Sequence, residues 1–327
     1  MMATTCSETR SAKQEDQFPG KTTVPEDFSD WLECKRMLVD SHLAAALRLG
    51  DSCPPKLVEA MRYGVLAPGK RLRPILVVMA AEACGGQDVD AMPAACAVEM
   101  VHAYSLIHDD LPSMDDDDLR RGQPTCHKQF GEALAILAGD ALLTLAFQVL
   151  TEGCPPKTAA ACCRHLAVGA GAAGMVGGQV LDLTGEELGP QNTADVLENL
   201  RAIHEHKTGD LFRACLQLGA WSALGETPIG PDPAILKSLD SFGRCLGLLF
   251  QITDDLLDVE GSADETGKRV QKDAAHGKLT YPGLMGLEES RRRAEELADR
   301  ARQQLTPLGP HGERLAALVP FILERKR

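Results

Sequence analysis

The sequence predicts an all-α protein. The hydrophobic fraction of 44% comes mostly from alanine and leucine, and aromatics make up only 4%, a balance that favours helices over sheets. β-branched runs are few, and apolar residues recur at three- and four-residue spacing, as on one face of a helix. At 327 residues the chain is long for one average domain, but helical folds of this size are often single.

Residues 1–24 are polar, rich in Thr, Ser, Lys and Glu, and have no apolar period, so they read as a flexible extension. The folded unit is expected over 25–327. Phe28, Trp31, Leu32, Leu38, Leu43 and Leu47 give the first helix, stopped at Gly50. A second runs from Leu57 to Leu66. Ala67-Pro68-Gly69 breaks it before Lys70-Arg71-Leu72-Arg73-Pro74 and an apolar helix from Ile75 to Cys84. That basic cluster sits at a helix start, where backbone N–H groups and cationic side chains suit a phosphate or carboxylate.

A long helix from Met92 to Asp110 runs into the most acidic stretch of the chain. Asp109, Asp110, Asp115, Asp116, Asp117 and Asp118 put six carboxylates within ten residues, which repel one another unless cations sit among them. Pro112 prevents regular helix beyond the first pair, so Asp115 can fold back beside Asp109. His102 lies two turns before Asp109, about 20° from eclipsed, and shares its face. Arg120 and Arg121 follow at once.

Gly131 to Leu150 reads as a core helix. The Gly169-x-Gly171-x-x-Gly174 run matches a dinucleotide fingerprint only on paper, because it lacks the flanking strands and is helical on both sides. A kink or close helix packing is the expectation there. Glu198 to Ala220 is helical through His204, His206, Lys207 and Thr208, and His204 and His206 stand about 200° apart, unable to chelate one ion well. From Ile235 to Val259 comes a second organising helix. Gln251, Asp254, Asp255 and Asp258 fall at i, i+3, i+4 and i+7 on one face, while Leu248, Leu249, Ile252, Leu256 and Leu257 cover the others. Carboxylates on a leucine-rich helix need cations or water to compensate them. A lysine-bearing stretch around Lys268 and Lys278 follows, then two charged helices, Leu287 to Leu305 and Glu313 to Glu324.

Composition removes other classes. A net charge of −13 leaves no basic stripe for a nucleic-acid partner. Eleven cysteines without metal spacing point to reduced thiols and a cytoplasmic location. No apolar stretch looks long enough for a membrane span, and no signal core opens the chain. A calcium loop starting at Asp115 would place Leu119 and Arg120 where a ligand and the turn glycine belong. Paired aspartates beside lysines and arginines suit Mg²⁺ completed by phosphate oxygens.

The motifs GKRLRP, EMVHAYSLIHDDLPSMDDDDLRRG, GMVGGQ, HKTG, FQITDDLLD and GK-T-YP occur in the order found in trans-isoprenyl diphosphate synthases, and from about Pro25 onward the chain resembles that family, most of all its bacterial farnesyl diphosphate synthases. The resemblance implies about a dozen helices around a deep apolar cavity, in a homodimer. It implies Mg²⁺, three ions per site with substrate bound, held by Asp109, Asp115 and Asp254 with Asp110 and Asp258 in support. Arg120, Lys207 and Lys268 would neutralise an allylic diphosphate, dimethylallyl or geranyl. Thr208 and Gln251 would face the developing carbocation. Lys70, Arg73, His102 and Arg121 would hold isopentenyl diphosphate, and Lys278 would help close the site. Tyr104 and Ser105, about 6 to 7.5 Å before Asp109 along the helix, would set product length. An aromatic at Tyr104 goes with farnesyl diphosphate in the family; a geranylgeranyl or geranyl diphosphate synthase is the alternative. A terpene cyclase would not need the GKRLRP site for a second diphosphate, a head-to-head squalene-type synthase would consume no isopentenyl diphosphate, and a noncatalytic partner subunit would not need intact acidic motifs.

Overall fold

The computed structural model describes residues 28–185, 193–264 and 279–325. The N-terminal extension, Lys268 and Lys278 lie outside the described residues. Among those described, twelve helices of eleven residues or more carry the fold, as the composition predicts.

The chain begins with α1 (Phe28–Ala46) and α2 (Pro55–Val65), followed by α3 (Leu72–Ala83) and α4 (Asp88–Asp109). A capping box between Gln87 and Asp90 starts α4 four residues earlier than its apolar pattern suggests. Two-residue strands β1 (Leu119–Arg120) and β2 (Gln123–Pro124) pair antiparallel after the acidic run. Then come the short α5 (Cys126–Phe130), α6 (Glu132–Gly153), α7 (Pro156–Ala170), α8 (Met175–Gly185) and α9 (Thr193–His204). A π-helical turn, Glu205–Gly209, leads into α10 (Asp210–Leu224). The last elements are α11 (Pro233–Asp264), the short α12 (Tyr281–Met285), α13 (Leu287–Gln304), a 3₁₀ segment Thr306–Gly312 and α14 (Glu313–Leu323).

Helix α10 is the centre of the bundle. It packs against α3, α4, α7 and α11, and the unbroken run from Ala214 to Ala220 is buried. A helix apolar on every side belongs in a core, and α4 behaves the same way from Ala94 to Val101. The rejected dinucleotide fingerprint is the break between α7 and α8, which packs Gly169 against α10.

The expectation that no segment reaches membrane-spanning length needs correction. The helix Glu132–Gly153 and the span Pro156–Thr184, which α7 and α8 make up across their break, are long and apolar enough by length and composition. Asp140 and Arg164 sit inside them and make the apolar runs look short in the sequence. The first packs its Ala135, Ala138, Leu142 and Ala146 face against α4, as bundle helices do.

Candidate active site

Two cavities open beside one another at the Asp109 end of α4. The larger, about 550 Å³, is lined by Tyr104, Ser105, His108 and Asp109 of α4, Met175, Val176, Gln179 and Asp182 of α8, Lys207 and Thr208 of the π turn, and Gln251 and Asp255 of α11. The second, about 500 Å³, is lined by Lys70, Arg71, Arg73, Glu99, His102 and Arg121. Arg73 and His102 line both. All four residues expected to hold isopentenyl diphosphate therefore meet in one cavity.

The acidic wall is built by the chain reversal that Pro112 forces. The Asp115 amide donates to the Asp109 carbonyl at 2.8 Å, so the two aspartates are folded together although Asp115 stays exposed. Burial raises Asp109 to a pKa of about 6, with Asp115 and Asp110 adding to the rise and Lys207 and Arg120 opposing it. Asp110 is buried and receives the Arg120 guanidinium in a fork, at 2.8 Å from Nε and 2.6 Å from Nη2. Arg120 thus holds the acidic loop through Asp110.

Among the described residues, the only side-chain-bearing positions with a positive φ are Arg71, Asp116 and Arg121. All three lie in the two turns that frame the cavities. Such backbone persists where surrounding contacts fix it. Arg71 is buried, bonded to Asp40 at 2.7 Å, Glu99 at 2.9 Å and the Ala67 carbonyl at 2.8 Å. It anchors the turn that presents Lys70 and Arg73, a role the sequence reading missed. Its signal was the arginine itself, followed by a helix start with no side-chain cap. Arg73 Nη1 lies 3.2 Å from His102 Nε2 and its guanidinium stands 5.3 Å from the Phe212 ring centre. His102 keeps one side on the cavity, yet burial and the neighbouring arginines hold its pKa well below the usual imidazole value. It is neutral at pH 7.

The π turn places Lys207 and Thr208 side by side on opposite tasks. Lys207 Nζ binds Asp182 of α8 at 2.6 Å, and Thr208 Oγ1 donates to Gln251 Oε1 at 2.9 Å. Gly178 permits this crossing: a Cβ there would lie 2.1 Å from the Lys207 amide nitrogen. The glycines of GMVGGQ thus let α8 approach the turn.

The second acidic motif differs from its expected single face. Asp255 is buried, accepts the Tyr281 amide at 2.9 Å and lies 3.6 Å from His204. Asp254 instead meets Arg325 at 2.5 Å, and Asp258 is half-buried. Positions three and four apart share a stripe but diverge by enough angle to reach different neighbours. Asp255 was expected on the acidic face but not as the partner of Tyr281 and His204, and Asp182 and Arg325 were not anticipated.

No three His, Cys, Asp or Glu side chains among the described residues converge closely enough to enclose an ion. Hard carboxylate oxygens on separated walls, with Asp109 buried beside Asp110 and Asp115, fit a cation that retains water and is completed by phosphate oxygens. They do not fit a closed structural metal site.

The polyprenyl synthetase family model matches residues 54–307. The chain belongs to that family. It is 48% identical over 298 residues to the heterodimeric geranylgeranyl pyrophosphate synthase large subunit 1, chloroplastic, of Arabidopsis thaliana, covering 90% of this chain and 77% of that one. It is 47% identical to geranylgeranyl pyrophosphate synthase 11, chloroplastic, of the same plant, over 90% and 80% of the two chains. The crystal structure of an FPP/GFPP synthase from Zymomonas mobilis superimposes with a TM-score of 0.78 at 36% identity, covering 91% of this chain and 99% of that one. A geranyltransferase from Legionella pneumophila gives 0.78 at 32% identity, over 91% and 98%. The protein is a prenyltransferase that makes a prenyl diphosphate.

Proposed function

We propose that the protein condenses isopentenyl diphosphate head to tail with an allylic diphosphate, Mg²⁺-dependently, and that its product is geranylgeranyl diphosphate. The observation that supports the condensation is the meeting of two cavities at Arg73 and His102, one walled by carboxylates and the other by cations. A cyclase has no use for the second, and a head-to-head synthase would consume no isopentenyl diphosphate. The twenty-carbon product is favoured by the names of the Arabidopsis relatives.

A specific observation favours a second reading, farnesyl diphosphate. Tyr104 is buried, lines the larger cavity, and rests edge-on against His108 with ring centres 5.8 Å apart. An aromatic pair in that position limits how far an isoprenoid tail descends.

In this reading Asp109, Asp115 and Asp254, supported by Asp110 and Asp258, hold Mg²⁺, three ions with substrate bound. The metal supplies charge neutralisation to the departing pyrophosphate. Lys207, Arg120 and Lys268 bind the same diphosphate. Thr208 and Gln251, already hydrogen-bonded, turn oxygen dipoles to the allylic carbon as it becomes positive. Lys70, Arg73 and Arg121 orient isopentenyl diphosphate so that its double bond attacks that carbon. Neutral His102 donates one hydrogen bond without adding a charge. The new bond leaves a tertiary cation, which loses a proton to the departing pyrophosphate, and Lys278 helps close the site.

We extend the proposal to a homodimer in the cytoplasm. Ile136 and Leu137 of α6 are exposed at 43% and 55%, an apolar edge that a second copy would cover. Every described cysteine is free, as suits a reducing compartment. Incubating the protein with Mg²⁺, isopentenyl diphosphate and dimethylallyl diphosphate, then chromatographing the dephosphorylated products, tests the assignment. A twenty-carbon alcohol supports the first reading and a fifteen-carbon alcohol the second.

A further inference from the structure

Asp254 stands apart from the other carboxylates of the site in what neutralises it. Its hydrogen-bond partner is not a residue of the acidic loop, and Lys70 of the cationic cavity acts on it only as a more distant charge. Arg325, beyond the end of α14, places Nη2 2.5 Å from Asp254 Oδ1. The same nitrogen donates to the Phe250 carbonyl at 3.0 Å, and the guanidinium carbon lies 4.1 Å from the Phe250 ring centre. The Arg325 side chain is only 9% exposed, whereas Asp254 is 46% exposed. Burial lowers the Arg325 pKa, against the pull of Asp254. Its Nε is buried without a hydrogen-bond partner.

This is an incompletely satisfied cation seated on a carboxylate that is itself open to solvent. A buried guanidinium normally has its donors matched. Here the Nε is left over, so the pairing carries a cost that an exchange can relieve. The carboxylate is the one expected to bind metal, and an ion at Asp254 would bring a second positive charge against the guanidinium that already holds its Oδ1.

We propose that Arg325 is an internal counter-ion for Asp254, occupying in the metal-free protein the place a divalent cation takes, and that metal binding at the second acidic motif releases the C-terminal segment. The inference rests on the reading of Asp254 as a metal ligand. In the exchange one carboxylate–guanidinium contact breaks, one carboxylate–metal contact forms, and the displaced guanidinium is taken up by solvent. The freed Arg325 stays close to Lys70, because both line a groove with Phe250 and Phe321. Metal loading is thereby linked to the position of a cation at the edge of the isopentenyl cavity. Arg325 is a positioning residue in this scheme, since it acts through Asp254.

The test is binding of Mn²⁺ alone to the full chain, read from the free-ion paramagnetic resonance signal, with no substrate present. Arg325→Gln should bind Mn²⁺ about two- to fivefold tighter at one site, the factor lost to a competing ion pair of this kind. In an Asp254→Asn background the same substitution should change nothing. A purely structural role for Arg325 would lower thermal stability and leave Mn²⁺ affinity unmoved. Unchanged affinity in Arg325→Gln, with a site lost in Asp254→Asn, overturns the exchange and leaves the metal assignment standing. Retention of every site in Asp254→Asn overturns the metal assignment, and the exchange with it. Should Arg325→Gln misfold, the unmodified protein decides: saturating Mn²⁺ should speed tryptic cleavage after Arg325, read by mass spectrometry, and unchanged or slower cleavage overturns the proposal.

Discussion

Lys207 Nζ and Asp182 Oδ2 lie 2.6 Å apart across the junction of α8 and the π turn. Each side chain keeps 27% of its surface exposed, so the pair is a half-open latch rather than a buried bridge. A diphosphate arriving in the larger cavity competes with Asp182 for the ammonium. Lys207→Ala should therefore raise the KM for the allylic substrate more than that for isopentenyl diphosphate. Arg73→Ala and His102→Ala should show the opposite bias, because both line the cationic cavity. Steady-state kinetics with each substrate varied in turn checks this, and equal effects on the two constants would refute the division of roles.

Asp109 gives a prediction in which activity and stability move in opposite directions. Its folded pKa of about 6 lies above the ordinary carboxylate value, chiefly through burial. The native state therefore holds the proton more tightly than the unfolded chain does. Metal-free protein should lose stability as pH rises from about 4 to about 6, where the unfolded state releases the proton first. Asp109→Asn removes the buried charge, so at pH 8 it should melt higher than the unmodified protein while turnover falls by about 10²–10³-fold or more. A lower melting temperature together with near-normal turnover would contradict both halves.

The same pKa sets a pH limit on cation binding. Protons and a divalent ion compete for Asp109, so Mn²⁺ affinity should fall as pH drops through about 6. Calorimetric titration on either side of that pH checks it. An affinity flat across the range would place the ion elsewhere.

Product length tests the cavity floor. His108 Nε2 lies 3.1 Å from the Ile136 carbonyl, and a Cβ on Gly139 would come within 2.1 Å of that ring nitrogen. Tyr104→Ala should lengthen the product by about one isoprene unit, since the vacated apolar volume favours the longer tail by up to a few kcal/mol. Gly139→Ala should alter the product distribution too, by pushing His108 and then Tyr104 off their present positions. An unchanged profile in active Tyr104→Ala protein would place the floor elsewhere.

The helical fold was legible because alanine and leucine periodicity repeats over many turns, and because glycine and proline mark most helix ends. The grouping of Lys70, Arg73, His102 and Arg121 followed from motif order, and the turn that brings Asp115 to Asp109 followed from Pro112. What stayed hidden depends on partners remote in the chain. Nothing local to Arg325 says that it reaches Asp254, and nothing near Asp182 says that Lys207 lies within 2.6 Å. The single face expected for Gln251, Asp254, Asp255 and Asp258 divided for the same reason: α9, α10, α12 and the C-terminal segment surround α11 unevenly. The two-residue strand pair after the acidic run is too short to leave a period.

The most direct measurement follows consumption of isopentenyl diphosphate and release of pyrophosphate together, using purified protein, geranyl diphosphate and Mg²⁺, with and without a chelator. Head-to-tail condensation predicts one pyrophosphate released for each isopentenyl diphosphate consumed, both reactions stopping when the chelator is added. Pyrophosphate released without consumption of isopentenyl diphosphate, or condensation undiminished by the chelator, would contradict the account.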